Sequence, residues 1–284
     1  MLTVKVGGVP EHFNYPWYLA LKDGAFKKQG INLRWVDCHG GTGEMCEALR
    51  NNEVDLAIIL TEGIVSDIIN GNPSTIVQTY VSSPLIWGIH VSSHSRFNSI
   101  ADIRGKIAAI SRKGSGSHLM AFVNAQNHDW DLKNDMKFRI VNNLDGGIKA
   151  LTDGEADYFF WEHFTTKPYV DKQVLRKIGD CPTPWPCFVI AVTQKFLNEN
   201  RTILNTILEI INSYTKEIKK VPNLASLISE RYEQKLEDVM DWLKLTNWDQ
   251  SVPSEFVINQ VQNRLHNLGV NTSILSYNKL VQQL

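Results

Sequence analysis

One stretch of the sequence occurs twice. Residues 38–60 read CHGGTGEMCEALRNNEVDLAIIL, and residues 140–162 read IVNNLDGGIKALTDGEADYFFWE. Each copy has the pattern of a glycine-containing loop, a short helix, a polar turn and an apolar run short enough for a buried parallel strand. A single offset of 102 residues (151 − 49) relates all four identical positions of the two copies. The constant offset favours duplication over two unrelated αβ units. Duplication in turn predicts two similar lobes that face each other across a cleft. The identities are Ala48, Leu49, Glu53 and Asp55, which recur as Ala150, Leu151, Glu155 and Asp157.

Glycine-rich loops before predicted helices are candidate binding elements. Such a loop presents unpaired backbone N–H groups and the positive end of the helix dipole. An ordinary helix start is the alternative, because Gly and Thr are common there. If the loops lie at the cleft, we expect them to contact a ligand through Gly41, Thr42 and Gly43 in the first half, and through Arg112, Gly114, Ser115, Gly116, Ser117 and Asn143 in the second.

Aromatic and acidic residues next to predicted strand ends form a second candidate set. Flat side chains can stack on a ring-containing ligand, although any single aromatic residue is more often part of the core. A carboxylate after a buried strand can accept hydrogen bonds from an aminopyrimidine or an ammonium group, or it can be a solvated loop charge. The aromatic candidates are His12, Phe13, Tyr15, Trp17, Trp161 and Trp185, and the acidic ones are Glu62 and Glu162.

Composition excludes several classes of protein. A length of 284 residues, 43% hydrophobic and 21% charged, is typical of a soluble globular protein of one or two domains. A net charge of −1 gives no general attraction to nucleic acid or to an anionic membrane. No apolar run approaches the ~20 residues of a membrane span. The first residues lack the features of a signal peptide, so we expect a cytoplasmic protein.

The chemistry-bearing motifs of common enzymes are missing from the sequence. It contains no HExxH, Walker A, GxSxG or complete GxGxxG pattern. We therefore assign no catalytic residue, no metal site and no cofactor. A cluster of His12, His39, Glu62 and His163 is the one arrangement that would bind a metal. The four cysteines show no zinc spacing and are expected to be buried free thiols: Cys38, Cys46, Cys181 and Cys187.

The order of predicted elements indicates an α/β fold. Strands alternate with helices as far as the apolar run FVIAVT at residues 188–193, which implies mostly parallel sheets. A helix is predicted over residues 17–28. The segment CPTPWPC at 181–187 is expected to be irregular, since proline removes a donor and fixes φ. From Gln194 onward apolar residues recur every three to four positions, so we expect a tail of packing helices without chemistry.

Four segments together resemble the type II periplasmic-binding proteins, and more narrowly their alkanesulfonate-binding and thiamine-pyrimidine branch, including the intracellular fungal type of member. They are PEHFNYPWYLALKDGAFKKQGI, ALRNNEVDLAI, IADIRGKIAAISRKGSGS and ALTDGEADYFF. The resemblance implies a two-lobed fold with parallel-rich sheets, in which 1–90 and 192–284 form lobe I and 91–191 form lobe II. It also implies two crossover strands, Leu85–Val91 and Phe188–Thr193, that act as hinges when the lobes close.

The resemblance to the fungal pyrimidine synthases does not extend to their reactive residues. Their cofactor-binding lysine and substrate histidine would follow Asp55, where this chain has neither, and their CCCFC motif matches only Cys187-Phe188. A Schiff base with pyridoxal phosphate needs a lysine amine. We favour a non-catalytic protein that closes over a small molecule, an aromatic or heterocyclic metabolite such as a thiamine-precursor pyrimidine or an anionic analogue. The alternative is an enzyme of thiamine-pyrimidine or menaquinone-precursor biosynthesis. No protein partner is predicted.

Overall fold

The computed structural model describes residues 1–284, which divide into two compact units. Met1–Ser83 and Trp185–Leu284 form the first unit, and Pro84–Pro184 forms the second. Each crossing of the chain lies seven residues before the boundary expected from the sequence (90 − 83 and 191 − 184). The reason is that each crossover strand pairs along its length within the unit that the chain has just entered.

Ten strands form two five-stranded sheets, one in each unit. Most are short, apolar and flanked by glycine or polar turn residues, as expected for buried strands. Numbered along the chain, they are β1 (Leu2–Gly8), β2 (Ile31–Asp37), β3 (Leu56–Leu60), β4 (Ser74–Val81), β5 (Ile86–Ser92), β6 (Ile107–Ile110), β7 (Lys137–Ile140), β8 (Tyr158–Glu162), β9 (Leu175–Pro182) and β10 (Phe188–Thr193).

The two sheets have the same topology. The first has the strand order β2-β1-β3-β10-β4 and the second has the order β7-β6-β8-β5-β9. In each, the fourth strand is the crossover strand, and it runs antiparallel to both of its neighbours. The other four strands share one direction, so the expected parallel-rich sheets are confirmed.

Thirteen α-helices connect and cover the strands. None is long and apolar enough to cross a membrane. In chain order they are α1 (Tyr15–Lys22), α2 (Ala25–Lys28), α3 (Thr42–Arg50), α4 (Thr61–Ile69), α5 (Gly116–Asn127), α6 (Leu144–Thr152), α7 (His163–Asp171), α8 (Gln194–Glu199), α9 (Arg201–Glu217), α10 (Leu224–Tyr232), α11 (Leu236–Leu245), α12 (Glu255–Asn267) and α13 (Tyr277–Leu280).

The repeated stretch forms the same structure in both units. The series α3, β3 and α4 returns as α6, β8 and α7, and every element is displaced by 102 residues (for example 144 − 42 and 171 − 69). The equivalence therefore extends beyond the repeated sequence into α4 and α7. It supports duplication of a whole α-β-α segment over two unrelated units.

The repeated aspartate joins the strand that follows it to the parallel strand beside it, β1 in the first unit and β6 in the second. Asp55 Oδ2 accepts a hydrogen bond from the N–H of Lys5 at 2.8 Å, and the N–H of Asp55 donates to the Lys5 carbonyl at 2.9 Å. In the second unit Asp157 forms the same two bonds with Ile107, both at 2.8 Å. We call each pair of bonds an aspartate clamp. It fixes the register in which β3 meets β1 and β8 meets β6.

The other repeated residues also have structural roles. Ala48 accepts the N–H of Glu53 at 2.8 Å, and Ala150 accepts the N–H of Glu155 at 2.9 Å, which closes the turn after each helix. Leu49 and its counterpart are buried in their units. The four identities thus explain the fold of the repeat and leave ligand chemistry to residues that differ between the copies.

Two local predictions differ from the structure. The helix predicted over residues 17–28 is divided at Gly24, whose φ of 65° interrupts it between α1 and α2. The segment 181–187 is not wholly irregular, because β9 continues through Cys181 to Pro182, which lies opposite Ile86. β9 is an edge strand, where a proline removes no bond from the interior of the sheet.

The aspartate clamp makes a testable prediction about local stability. Asp55→Ala should expose the Lys5 amide to faster hydrogen exchange, and Asp157→Ala should do the same for Ile107, because each amide loses a charged acceptor worth roughly 1.5–3 kcal/mol. Asp→Asn at either position is the matched control, since it keeps an acceptor oxygen. Exchange rates of both amides that stay at the wild-type value in the alanine variants would contradict the role of the clamp.

Candidate ligand-binding site

The candidate site of the first unit lies where three chain segments meet at one end of its sheet. β1 leads into the turn His12–Asn14, β3 leads into α4, and residues 185–187 lead into β10. Because β10 is antiparallel to β3, Phe188 at its start lies opposite Leu60 at the end of β3. Thr61 fixes this junction, since its N–H and its hydroxyl donate to carbonyls of residues 185–187 at 3.0 and 2.6 Å.

Glu62 is the buried acidic group of this site. One of its oxygens, Oε2, accepts a hydrogen bond from Trp185 Nε1 at 2.8 Å. The other, Oε1, is buried without a hydrogen-bond partner. Burial raises the pKa of Glu62 to about 7, because the loss of solvation outweighs the hydrogen bond from Trp185. Near neutral pH the carboxyl can therefore accept a hydrogen bond from a ligand as the anion or donate one as the acid.

His12 is the second buried polar group. Its side chain is 1% exposed, and burial lowers the pKa of the imidazole to about 3, so the ring is neutral at physiological pH. Phe13 stacks against it with ring centroids 4.8 Å apart, and Trp242 packs edge-on at 4.2 Å. His12 Nε2 has no hydrogen-bond partner although it is buried. The site thus holds a neutral imidazole whose ring plane is fixed and whose Nε2 is unpaired.

The C-terminal tail contributes aromatic side chains that sequence reasoning missed. Trp242 of α11 contacts Phe13 at 5.1 Å as well as His12, and Trp248 Nε1 donates to the carbonyl of Phe13 at 3.0 Å. Tyr232, at the end of α10, lies 6.3 Å from the His12 ring. From helical periodicity alone, the tail after Gln194 was predicted to consist of packing helices without a binding role. The concentration of aromatic residues between positions 232 and 248 was the signal that could have identified it.

The other two aromatic candidates of the first loop have different surroundings. Trp17 is fully buried and stacks between Phe26 at 5.9 Å and Trp35 at 6.0 Å, so the structure places it in the core. Tyr15 is buried beside Tyr18 and the tail residue Tyr232. Of the two, Tyr15 shares a neighbour with His12 and Trp17 does not.

The first glycine loop is satisfied largely by local contacts. Gly41 has a φ of 66° at the start of α3, a conformation that favours glycine. The N–H of Gly40 donates to a carboxylate oxygen of Glu44 at 2.5 Å. Thr42 packs its methyl group against Gly63 of α4, where a β-carbon would lie only 2.2 Å away. Thr42 and Gly43 are partly exposed, and the structure gives Thr42 a packing role.

The loop Gly114–Ser117 in the second unit uses its hydroxyls internally. Ser115 caps α5, and its Oγ lies 3.0 Å from Ser117 Oγ. Ser117 Oγ in turn accepts the N–H of Ser111 at 2.9 Å. The sequence led us to expect these hydroxyls to face a ligand. In the structure they bond to one another and to the end of β6, and Ser115 Oγ also accepts the N–H of His118. The N–H groups of Gly116 and Ser117 are left as the donors of this loop.

The remaining candidates of the second unit fall into separate environments. Arg112 is exposed beside the Gly114–Ser117 loop. Asn143 is an exposed cap of α6 and accepts the N–H of Gly146 at 2.9 Å. Trp161 is half-buried and packs on Phe159.

Glu162 and Glu62 are not equivalent residues. Glu162 is the last residue of β8 and caps α7, accepting the N–H groups of Phe164 and Thr165 at 3.1 and 2.7 Å. At the common offset of 102 its counterpart is Leu60, and the counterpart of Glu62 is Phe164. Glu162 therefore has a capping role that Glu62 does not share.

Histidine, cysteine and acidic side chains nowhere form a group of three or more that could hold a metal ion. The alternative arrangement of His12, His39, Glu62 and His163 as metal ligands is accordingly not assembled. His163 instead contacts Asp180 at 2.9 Å and Lys177 at 3.0 Å within the second unit. None of the four cysteines is in a disulfide, and all four are buried.

Glu62 should make stability depend on pH. Its raised pKa stabilises the folded chain below the unfolded pKa of about 4.5, and this contribution is lost as pH rises through about 7. Glu62→Gln keeps an acceptor for Trp185 but cannot ionise. We expect the free energy of unfolding of the variant, minus that of wild type, to rise between pH 4.5 and pH 8 by on the order of 3 kcal/mol.

Chemical denaturation at each pH measures this difference. Taking the difference between two proteins removes the contribution of His12, whose lowered pKa acts in the opposite direction. Glu47→Gln, at an exposed position on α3, is the control. Parallel pH curves for wild type and Glu62→Gln would contradict the assignment.

Comparison with known proteins identifies the fold. A family model described as Ca3427-like PBP matches residues 87–181. The structure of the Candida albicans CA3427 gene product, described as defining a family with the generic periplasmic-binding-protein fold, is 26% identical with a TM-score of 0.91 over 99% of this chain and 96% of that one. No curated protein matches the sequence.

Two more distant structures share the fold. The alkanesulfonate-binding protein SsuA of Xanthomonas axonopodis pv. citri, bound to MOPS, is 14% identical, with a TM-score of 0.83 over 99% of this chain and 98% of that one. PhnD1 of Prochlorococcus marinus, in complex with methylphosphonate, is 11% identical, with a TM-score of 0.64 over 94% and 98%. The chain therefore has the α/β type II periplasmic-binding-protein fold, and within that fold it is similar to the Ca3427-like proteins.

Proposed function

We propose that this chain is a non-catalytic binding protein for a small aromatic or heterocyclic metabolite. The observation that carries the proposal is the pair of buried, unpartnered polar atoms in the first unit, Glu62 Oε1 and His12 Nε2. Buried polar atoms are almost always hydrogen-bonded, and each exception needs an explanation. A ligand that pairs with these atoms supplies one. The bound MOPS and methylphosphonate of structures with this fold support small-molecule binding in general.

The surroundings of these atoms favour a ring-shaped ligand. His12 lies among the rings of Phe13, Trp242 and Tyr232, and Glu62 is bonded to the indole of Trp185. Aromatic faces stack on flat rings, while Glu62 and His12 provide the polar contacts that fix orientation. A pyrimidine of the thiamine-precursor type has this combination of a flat body and polar edge groups.

We propose that the second unit contributes donors for an anionic substituent. The N–H groups of Gly116 and Ser117, the first two of α5, have no partner within the helix, and they carry the positive end of its dipole. Arg112 and Lys113 lie beside them and are exposed. This arrangement suits a phosphate, sulfonate or carboxylate group on the ligand.

We also propose that the two units close over the ligand by rotation at the two crossings, Ser83–Pro84 and Pro184–Trp185. Trp185 supports this proposal, because it adjoins one crossing and is bonded to Glu62 at the candidate site. A ligand that engages Glu62 would therefore act directly next to a hinge.

Closure can be measured with one fluorescent label in each unit, at Glu47→Cys and Lys133→Cys. Both positions are exposed and the four native cysteines are buried, so labelling should be selective. Thermal-shift screening of a metabolite library supplies the ligand, since a compound at 100 times its Kd adds about 2.7 kcal/mol to stability. The labels should approach each other on binding. A tight ligand that leaves their distance unchanged would contradict closure, and conversion of that ligand to a product would contradict a non-catalytic role.

The anion-binding role of the second unit makes a separate prediction. Arg112→Gln combined with Lys113→Gln should weaken binding of an anionic ligand by about tenfold at low salt and by less at high salt, because exposed charges are screened. Lys133→Gln, exposed elsewhere in the same unit, is the control. Isothermal titration at two salt concentrations measures both effects. Equal affinity in the double variant and the control would exclude this pair from the site.

A further inference from the structure

Gln234 is held in a defined position at the turn between α10 and α11. Glu233 ends α10 with a φ of 53°, which reverses the chain. The N–H of Gln234 then donates to the Ser229 carbonyl at 3.1 Å, and Ser229 Oγ donates back to the Gln234 carbonyl at 2.6 Å. With both of its backbone polar groups paired, Gln234 can direct its side chain reproducibly toward the candidate site.

The side-chain amide of Gln234 lies next to Nδ1 of His12, the ring nitrogen other than the unpaired Nε2. Gln234 Nε2 lies 3.5 Å from His12 Nδ1, at the long end of the hydrogen-bonding range. A neutral imidazole carries a single N–H, so if the amide nitrogen of Gln234 is the donor, Nδ1 is the acceptor and the proton lies on Nε2. Phe13 and Trp242 pack on the ring from two directions, which fixes its orientation and leaves the position of the proton as the remaining variable.

We propose that Gln234 holds His12 in the Nε2–H tautomer, so that the first unit selects an uncharged heteroaromatic ring that places a hydrogen-bond acceptor against His12 and a polar edge group against Glu62. Gln234 is a positioning residue in this scheme, because it acts through His12. The inference rests on the proposed function, since it specifies which ring the same site takes.

The charges of the site support an uncharged ring. Of the two groups that we place against the ligand, His12 is neutral and Glu62 is an acid. Arg231, the cation that precedes Tyr232, is engaged over the ring of Tyr18 at 3.6 Å. A buried anion at this place would face a carboxyl group without a compensating positive charge, which is strongly unfavourable. An anionic substituent therefore belongs elsewhere on the ligand.

The tautomer can be read in the free protein, without any ligand, from the imidazole nitrogen resonances of ¹⁵N-labelled protein. We expect His12 Nε2 to be protonated and Nδ1 to be unprotonated. Gln234→Glu replaces the amide with a carboxylate, which accepts only, and should transfer the proton to Nδ1. Glu233→Gln, in the same turn but exposed, is the matched control and should leave the tautomer unchanged. A protonated Nδ1 in wild type, or an unchanged tautomer in Gln234→Glu, would overturn the role of Gln234.

Ligand selection is tested with three probes: 4-aminopyrimidine, aniline and methanesulfonate. Aniline has the same flat shape but lacks the ring acceptor, and it should bind at least tenfold more weakly than 4-aminopyrimidine. Gln234→Glu should remove that preference. Equal binding of the two rings, or tighter binding of methanesulfonate, would overturn the ring assignment. Failure of the proposed function has a different result: no probe and no library compound stabilises any variant, while the tautomer readings remain as expected.

Discussion

The aspartate clamp is the interaction on which both units depend. A strand of five residues has few ladder bonds of its own, and a slip of one residue would turn its apolar side chains to the opposite face. Asp55 and Asp157 prevent this by bonding to β1 and β6, respectively, with both the side chain and the backbone N–H. Once β3 and β8 are in register, the helices that follow them begin at equivalent places in the two units.

The fold could be predicted from the sequence because its determinants are local and repeated. The offset of 102 was visible in the four repeated residues, and each of them has a structural role that both units need. The crossings were harder to place. A crossover strand has the same apolar pattern whichever unit it pairs with. The boundary between the units therefore depends on the strands with which it pairs, which the sequence pattern does not show. Whether Pro182 belongs to a strand was similarly ambiguous. A proline is tolerated in an edge strand, but the neighbouring sequence does not show that β9 lies at the edge of its sheet.

Prediction of the site was less complete. Glu62 and Trp185 were singled out for their places next to strands, and the structure joins them by a hydrogen bond at 2.8 Å. Trp242 and Gln234 were missed because they lie over 200 residues from His12 in the chain. Trp242 belongs to a helix whose periodicity suggests packing alone, and Gln234 lies in the turn before that helix. Ser115 and Ser117 were selected from the sequence pattern of their loop. Their sequence suits ligand contact, but nearby backbone and hydroxyl groups use them first.

Duplication offers a way to separate what the fold needs from what a ligand needs. At the offset of 102, Glu62 corresponds to Phe164 and His12 corresponds to Gly114. Phe164 is buried in its unit without any polar group, so the fold itself does not require an acid at this place. Yet at each of these two positions the first unit keeps a buried polar atom unpaired, Glu62 Oε1 and His12 Nε2, and each such atom costs about 1–3 kcal/mol. The second unit has no unpaired polar side chain at the two equivalent positions, so folding does not require one there. Binding of a ring-shaped ligand would explain why the first unit keeps these groups.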